Sequence, residues 1–487
     1  MQHTMKVRSL PAAIRAALLA IPALGLLSAC APLGPNYLRP APLPNVVSEQ
    51  AAVAGPLAQY KEAAKLLKPA TPATGTTVAS DWWKAFADPR LDALMTEVAN
   101  GNQNIAQAEA RYRQATASLQ QTQAGQWPTL STNASAARSS QATTAGRSTA
   151  TSLSTSLAAS WELDLWGRVR RSIEAGDASA AASAADLAAT TLSLRAQLAT
   201  SYGNLRSLDA QRALLEDSVE AYERSLKLTQ NRYDAGVVAR SDVAQAQLQL
   251  LNARAQLIDT DNQRAALEHA IAILLGRVPS TFALERSETY ALKLPAVAAS
   301  VPSELLRKRP DVIAAERRVA AANAQIGVTV AAYYPSITLS GSFGQRGANL
   351  SDLLSLPNRF WSVGPALALS LFDGGARDAA KAQVVAAYDQ TVAAYRQTVL
   401  TAIGEVEDNL AAQRILAEEL AVQQQAVKAA QESLTIALNQ YKAGTVSYLN
   451  VVTAQTAEYS ARRSELSLRA QQFTATVALV RALGGRV

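Results

Sequence analysis

Cysteine is almost absent from this sequence. Cys30 is the only one among 487 residues, so no internal disulfide can staple the fold. Histidine is nearly as scarce, with His3 and His269 alone, which excludes a Cys/His zinc site and a Cys-His nucleophilic dyad. Aromatic residues make up 5% of the chain, too few to fill a globular core with Phe and Trp. Runs of Lys or Arg are missing too. The net charge of +7 falls to +4 if Lys6, Arg8 and Arg15 leave with a cleaved leader, and a nucleic-acid partner is not suggested. There is no G-x-S-x-G elbow, no P-loop and no H-E-x-x-H. An enzyme would have to work with carboxylates alone, and no motif points to one. The expectation is a protein that is not an enzyme and holds no metal.

What is present starts with a leader. Lys6, Arg8 and Arg15 precede the uncharged stretch "AALLAIPALGLLSA", the pattern of a secretory signal over residues 1–29. Its apolar run is too short for a membrane-spanning helix. Leu27-Ser28-Ala29-Cys30 resembles the bacterial lipobox, which implies an N-acyl and S-diacylglycerol lipid on Cys30 and no other cofactor. Ala31 in place of Asp favours sorting to the outer membrane, and two or three acyl chains give stable anchoring. Residues 30–87, rich in Pro, Ala and Thr, read as an extended tether from that anchor.

Alanine, serine, glutamine and leucine dominate the rest, a composition suited to long helices packed through small side chains. The chain also repeats itself. "RYDAGVVARSDVAQAQ" at 232–247 returns as "QYKAGTVSYLNVVTAQ" at 440–455, 208 residues later. Trp127-Pro128 returns as Tyr334-Pro335, and Gly167 with Arg170 as Gly374 with Arg377, both 207 residues on. That period is far beyond the roughly 20–50 residues of a solenoid unit, so the chain is two tandem half-molecules.

Each half reads as helix, β-hairpin, long helices. The segments are a helix at 88–126, a hairpin at 127–166, and long helices with a turn at 167–275. A connector at 276–310 separates the halves. The second half then gives a helix at 311–333, a hairpin at 334–373, and long helices with a turn at 374–487. In "TSLSTSLAASWELDLW" (151–166) apolar and polar residues alternate strictly, which predicts a strand with one face of each kind. "WPTLSTNASAAR" (127–138), "PSITLSGSF" and "WSVGPALALSLF" alternate likewise, and a Ser/Thr/Gly-rich loop is expected between the first two strands. Strands of about ten residues with Trp127, Trp161, Tyr334 and Trp361 at their ends match a transmembrane β-barrel with aromatic girdles. Four strands cannot close a barrel, and lipid forbids open edges, so several copies must share one.

As a set, the lipobox, the two halves, "SWELDLWGRVRR", "RYDAGVVARSDVAQAQ" and "LRKRPDVIAAERRVAAANAQIGVTVAAYYPSITL" resemble the TolC-like outer-membrane efflux channels. More narrowly, the resemblance is to the lipoprotein branch serving tripartite drug-efflux pumps. It implies a mostly α fold and a homotrimer that shares a twelve-stranded barrel in the cell outer membrane. It also implies a periplasmic α-helical tunnel with an equatorial belt. The implied channel is passive; a periplasmic adaptor (membrane fusion) protein and an inner-membrane RND-type transporter supply docking and energy.

The repeated turns answer to the same family. Gly236 and Gly444 suit left-handed helix ends, while Ser241 or Asp242, and Ser447, suit the following N-caps. The resemblance places Gly236, Val237, Gly444 and Thr445 in periplasmic tip turns that meet the adaptor. It implies that Asp242 and Tyr441 hydrogen-bond to hold the tip closed; the alternative is that Asp242 only caps its helix. Asn450 and Thr453 stand where many members carry acids around the constriction, so closure here would be neutral, with Leu449 as a plug. A duct for polypeptides or metal ions is the alternative within this fold. A pore-less structural lipoprotein is the alternative outside it, and the alternating strands weigh against that.

Overall fold

The structure is a computed structural model that describes residues 32–42, 61–62, 81–144, 146–287, 290, 292–295, 308–351, 353 and 355–485. The leader and Cys30 lie outside them.

Seven helices and four strands follow one another in the described chain. They are α1 (Pro89–Gly101), α2 (Gln103–Ala124), β1 (Thr129–Thr143), β2 (Gly146–Glu162), α3 (Arg168–Asp234), α4 (Arg240–Leu274), α5 (Pro310–Ala331), β3 (Ser336–Gly347), β4 (Arg359–Ala368), α6 (Ala376–Lys442) and α7 (Tyr448–Ala482). The internal repeat is visible in their bounds. Helices α3 and α6 each have 67 residues, and α4 and α7 each have 35. Both pairs start and stop 208 residues apart. The 67-residue helices run unbroken and reach about 100 Å at ~1.5 Å per residue. No described helix is long and apolar enough to cross a membrane.

The chain forms two compact units. The first contains the sheet, with residues 112–183 and 315–395 and the start of the chain to 40. Its strands pair antiparallel in the order β1-β2-β3-β4. They have 15, 17, 12 and 10 residues, so β1 and β2 outrun the ten-residue expectation and consume the predicted loop. Serine and threonine sustain the extension: Thr149 bonds Ser140 across the pair at 3.4 Å, and Gly146, at φ 115°, turns the chain where Thr143 meets it. Register assembles the alternation into two faces. Thr132, Leu157, Phe343 and Trp361 form one cross-strand row, and Leu130, Ala159, Gly341 and Val363 the next. Ser135 with Ser154 (2.7 Å) and Ser342 with Ser362 (2.8 Å) bond on the opposite face. Large apolar side chains on the first face stand exposed, Trp361 at 75% and Val363 at 67%. Strands β1 and β4 each pair on one side only.

The segment after Cys30 is not a free tether. Buried Arg171 donates to the Leu33 carbonyl (3.0 Å), the Gly34 carbonyl (3.2 Å) and Asn36 Oδ1 (2.8 Å). Asn323 holds the Pro35 carbonyl at 3.0 Å, and the Tyr37 hydroxyl donates to Glu316. Gly34 and Gly327 touch so closely that a Cβ on Gly34 would lie 2.5 Å from the Gly327 Cα.

The second unit holds residues 41–111, 184–314 and 396–487. Its core gathers Trp82, Trp83, Phe86, Leu91, Met95, Leu198, Tyr202, Ile271, Val406 and Phe473. Gly203 is bare because Phe473 lies on it; a Cβ would come within 2.4 Å of the ring. The expected single helix at 88–126 is broken at Asn102. Asn102 Oδ1 accepts from the Asn104 amide (2.9 Å) and the Ile105 amide (3.2 Å), while its Nδ2 donates to the Leu274 carbonyl (2.7 Å). Asp88 caps α1 by accepting from the Arg90 and Leu91 amides. Part of the connector packs inward: Phe282 and Leu284 are buried, and buried Asp209 takes Arg264 at 2.7 Å and the Ser287 amide at 3.2 Å. Glu407 likewise holds the amides of Lys61 and Glu62, at 2.7 and 3.0 Å.

Candidate functional site

Helices α3 and α6 end alike. Gly236 and Gly444 take φ of 72° and 80°, which glycine adopts without strain. At the first end the Gly236 amide donates to the Tyr233 carbonyl (2.8 Å) and the Val237 amide to the Arg232 carbonyl (2.9 Å). At the second, Gly444 donates to Tyr441 and Thr445 to Gln440, both at 3.0 Å. Both are Schellman motifs, which satisfy the last carbonyls of a helix with the two amides after it. Of the caps that follow, the first differs from expectation and the second keeps its expected residue. Helix α4 starts at Arg240, with Ala239 as its N-cap, so Ser241 and Asp242 already lie in the first turn. Ser447 is the N-cap of α7 but makes no side-chain cap bond.

Between these turns lies a small buried cluster of Ala246, Tyr441, Tyr448 and Val451, flanked by Leu226, Val238, Leu438 and Val446. The rings of Tyr441 and Tyr448 meet edge-on at 5.4 Å. Both hydroxyls turn to α3: Tyr441 donates to Thr229 Oγ1 (3.2 Å) and Tyr448 to Ser225 Oγ (3.1 Å). Arg232 lies over the Tyr441 ring at 4.6 Å and donates to the Tyr441 carbonyl. The expected bond from Tyr441 to Asp242 is therefore not made within this chain. Ser225 and Thr229, one helical turn apart, offer acceptors along the very row of α3 against which the tyrosines pack. Asp242 sits half-buried in the first turn of α4. It is felt through Tyr448: burial pushes that phenol up from its ordinary value, and the Asp242 charge adds to the push.

Leu449 is 55% exposed, and Asn450 and Thr453 are exposed with it. The Thr453 hydroxyl donates to the Leu449 carbonyl at 2.9 Å, inside its own helix. Val237 is 61% exposed, and Gly236, Gly444 and Thr445 are exposed. Sequence reasoning missed Arg232, Ser225, Thr229 and Tyr448. Spacing gave no signal for Tyr448, because it lies across the Gly444 turn from Tyr441, at the start of α7 rather than on α6. No group of His, Cys, Asp and Glu among the described residues could hold a metal ion.

Comparison with known proteins accords with this architecture. The profile of a family described as outer membrane efflux protein matches residues 94–277 and 301–485. The pyoverdine export outer membrane protein OpmQ of Pseudomonas aeruginosa is 30% identical over 474 residues, 95% of this chain and 96% of its own. The toluene efflux pump outer membrane protein TtgC of Pseudomonas putida is 30% identical over 411 residues, 83% of this chain and 84% of its own. Among solved structures, the outer-membrane channel OprN superposes with a TM-score of 0.82 at 30% identity, over 93% of this chain and 99% of its own. The open state of the Neisseria gonorrhoeae MtrE outer membrane channel gives 0.78 at 28%, over 93% and 98%.

Proposed function

This chain belongs to the outer membrane efflux protein family and acts as an outer-membrane channel for efflux, and from that premise we propose how it does so. Three copies share one twelve-stranded barrel. The observation that carries this is the sheet, whose exposed apolar face and two half-paired edge strands cannot rest in lipid singly. Pairing β4 of one copy with β1 of the next removes every edge, and three copies of four strands exceed the eight of the smallest outer-membrane barrels. The helices of the three copies form a periplasmic tunnel, and Cys30 carries the lipid that anchors each chain.

The channel is passive and works with a periplasmic adaptor and an inner-membrane transporter of RND type. Relatives named for pyoverdine, toluene and antibiotics support small amphiphilic compounds as cargo. At the tip, Tyr441 and Tyr448 latch α6 and α7 to α3 through Thr229, Ser225 and Arg232. This latch holds the resting closure, and an adaptor seated on Gly236, Val237, Gly444 and Thr445 loosens it. Leu449, Asn450 and Thr453 face the constriction and close it without charge.

Native mass spectrometry of the detergent-solubilised protein tests the assembly. Three chains per particle are expected, and a folded monomer overturns the shared barrel. A strain lacking the gene should accumulate amphiphilic dyes that the complemented strain exports. Equal accumulation in both overturns the proposed cargo.

A further inference from the structure

The four strands carry four arginines and one acid, and the two kinds of charge are kept apart. Glu162, the acid, sits where β2 leaves the sheet toward α3, and is taken by Arg168 at 2.6 and 2.8 Å. The arginines, Arg138 on β1, Arg147 on β2, Arg346 on β3 and Arg359 on β4, all lie toward the opposite ends of their strands and are all exposed. Asp352, in the loop joining β3 to β4, lies outside the described residues. None of the four has a carboxylate partner among the described residues. Arg346 rests over the Phe360 ring, 5.5 Å away.

Strand parity sorts them by face. Arg138 continues Leu130, Thr132, Ala134 and Ala136; Arg359 continues Trp361, Val363 and Pro365; Arg147 continues Leu157, Leu153 and Thr151. These three arginines are therefore on the apolar face, and Arg346 is on the other. From Leu163, just past the end of β2 and pairing toward Ile337, to Leu153, the apolar band spans ten residue steps. That is ~33 Å along the strand, or about 25 Å of height at the usual barrel tilt. On β1, Arg138 occupies the first same-face position past that band, and on β4, Arg359 lies level with Thr155, one same-face position inside its edge. A cation at the Arg138 level meets not hydrocarbon but the headgroup layer, and a guanidinium one position inside the edge extends to that layer along its apolar stem.

We propose that Arg138, Arg147 and Arg359 form a binding surface for a phosphorylated glycolipid headgroup of the outer leaflet. The inference rests on the barrel reading above. Closing the barrel by pairing β4 with β1 of the next copy sets Arg359 and Arg138 on adjacent strands and on one outward face, so the site spans the junction between copies. Guanidinium groups are suited to it, since each presents a planar fork to phosphate oxygens and keeps its charge at any relevant pH. The lipid occupies a seam between protomers and thereby favours closure of the ring.

The mature protein in nanodiscs, titrated with bis-phosphorylated lipid A and with the same lipid after phosphate removal, tests this without any substitution. Removing the phosphates should weaken binding about tenfold or more, as expected of several basic residues facing an anionic headgroup. The triple variant Arg138→Gln, Arg147→Gln, Arg359→Gln should reproduce that loss, whereas Arg346→Gln on the opposite face should not. Equal binding of the two lipids, an unaffected triple variant, or displacement of lipid A by excess inorganic phosphate would each overturn the assignment. Wild-type conductance in a planar bilayer keeps the two readings separate. A conducting protein with no phosphate preference refutes the lipid site alone, and a folded protein with no pore refutes the barrel.

Discussion

Tyr233 and Tyr441 occupy the same place in the two halves, yet Tyr233 is 36% exposed and Tyr441 is 1% exposed. Their neighbours account for the difference. Tyr441 has Thr229, Arg232 and Tyr448, whereas the positions matching Thr229, Arg232 and Tyr448 around Tyr233 are Ala437, Gln440 and Arg240. Arg240 covers the Tyr233 ring at 5.7 Å from the solvent side. Substituting Tyr441→Phe removes a buried hydroxyl from a bonded pair and should cost about 1 kcal/mol, read as a lower unfolding midpoint in denaturant. Tyr233→Phe should leave that midpoint unchanged. Gly236→Ala should cost about 1 kcal/mol although nothing lies within 4 Å of its missing Cβ, because the penalty is the left-handed backbone alone. Gly203→Ala has the opposite cause, collision with Phe473, and should be partly rescued by Phe473→Leu in the same assay. The turn glycines were legible in the sequence because their requirement is local. The partners of Tyr441 were not, since the row of α3 that meets it depends on how two 67-residue helices are rotated against each other.

Among the elements, the strands show why pattern reading stopped short. Alternation located the apolar face of every strand, but in β1 and β2 beyond Arg138 and Thr151 both faces are polar, so the pattern fades while the ladder continues to Thr143 and Gly146. The break at Asn102 was hidden for another reason: its side chain caps α2 and also reaches the Leu274 carbonyl, 172 residues away in sequence. The strap at 32–41 looked like a tether because its anchors, Arg171, Glu316 and Asn323, are distant in the chain. Burial opposes ionisation of Glu316, but bonds from Arg317 and Tyr37 outweigh it and hold the carboxyl below its usual range. Because the folded value is depressed, the stabilisation is full above the ordinary carboxylate range near 4 and is lost as the pH falls through the lowered value. Protection of the amides of residues 33–41 against exchange, relative to their intrinsic rates, should therefore fall selectively in acid, and Glu316→Gln should flatten that response. For the connector, Asp209→Ala leaves Arg264 and Arg206 without their shared buried carboxylate. A loss of about 3–5 kcal/mol is expected, with faster proteolysis at 282–287.

At the scale of the whole molecule the duplication carries the account. Two copies of one plan supply two hairpins and two pairs of long helices, and the four strands join into one sheet whose two edge strands each pair on one side only. Both turns between the long helices are built alike, and only the second is reinforced by buried tyrosines. The central claim is that the assembled chain is a pore held shut at those turns. Single-channel conductance of the mature protein in a planar bilayer tests it most directly, with Arg232→Ala and Tyr441→Phe beside the wild type and Tyr233→Phe as the control. Small wild-type currents that rise in the first two variants and not in the control are predicted. A large wild-type conductance that neither substitution changes, or no conductance from well-folded protein, would contradict the claim.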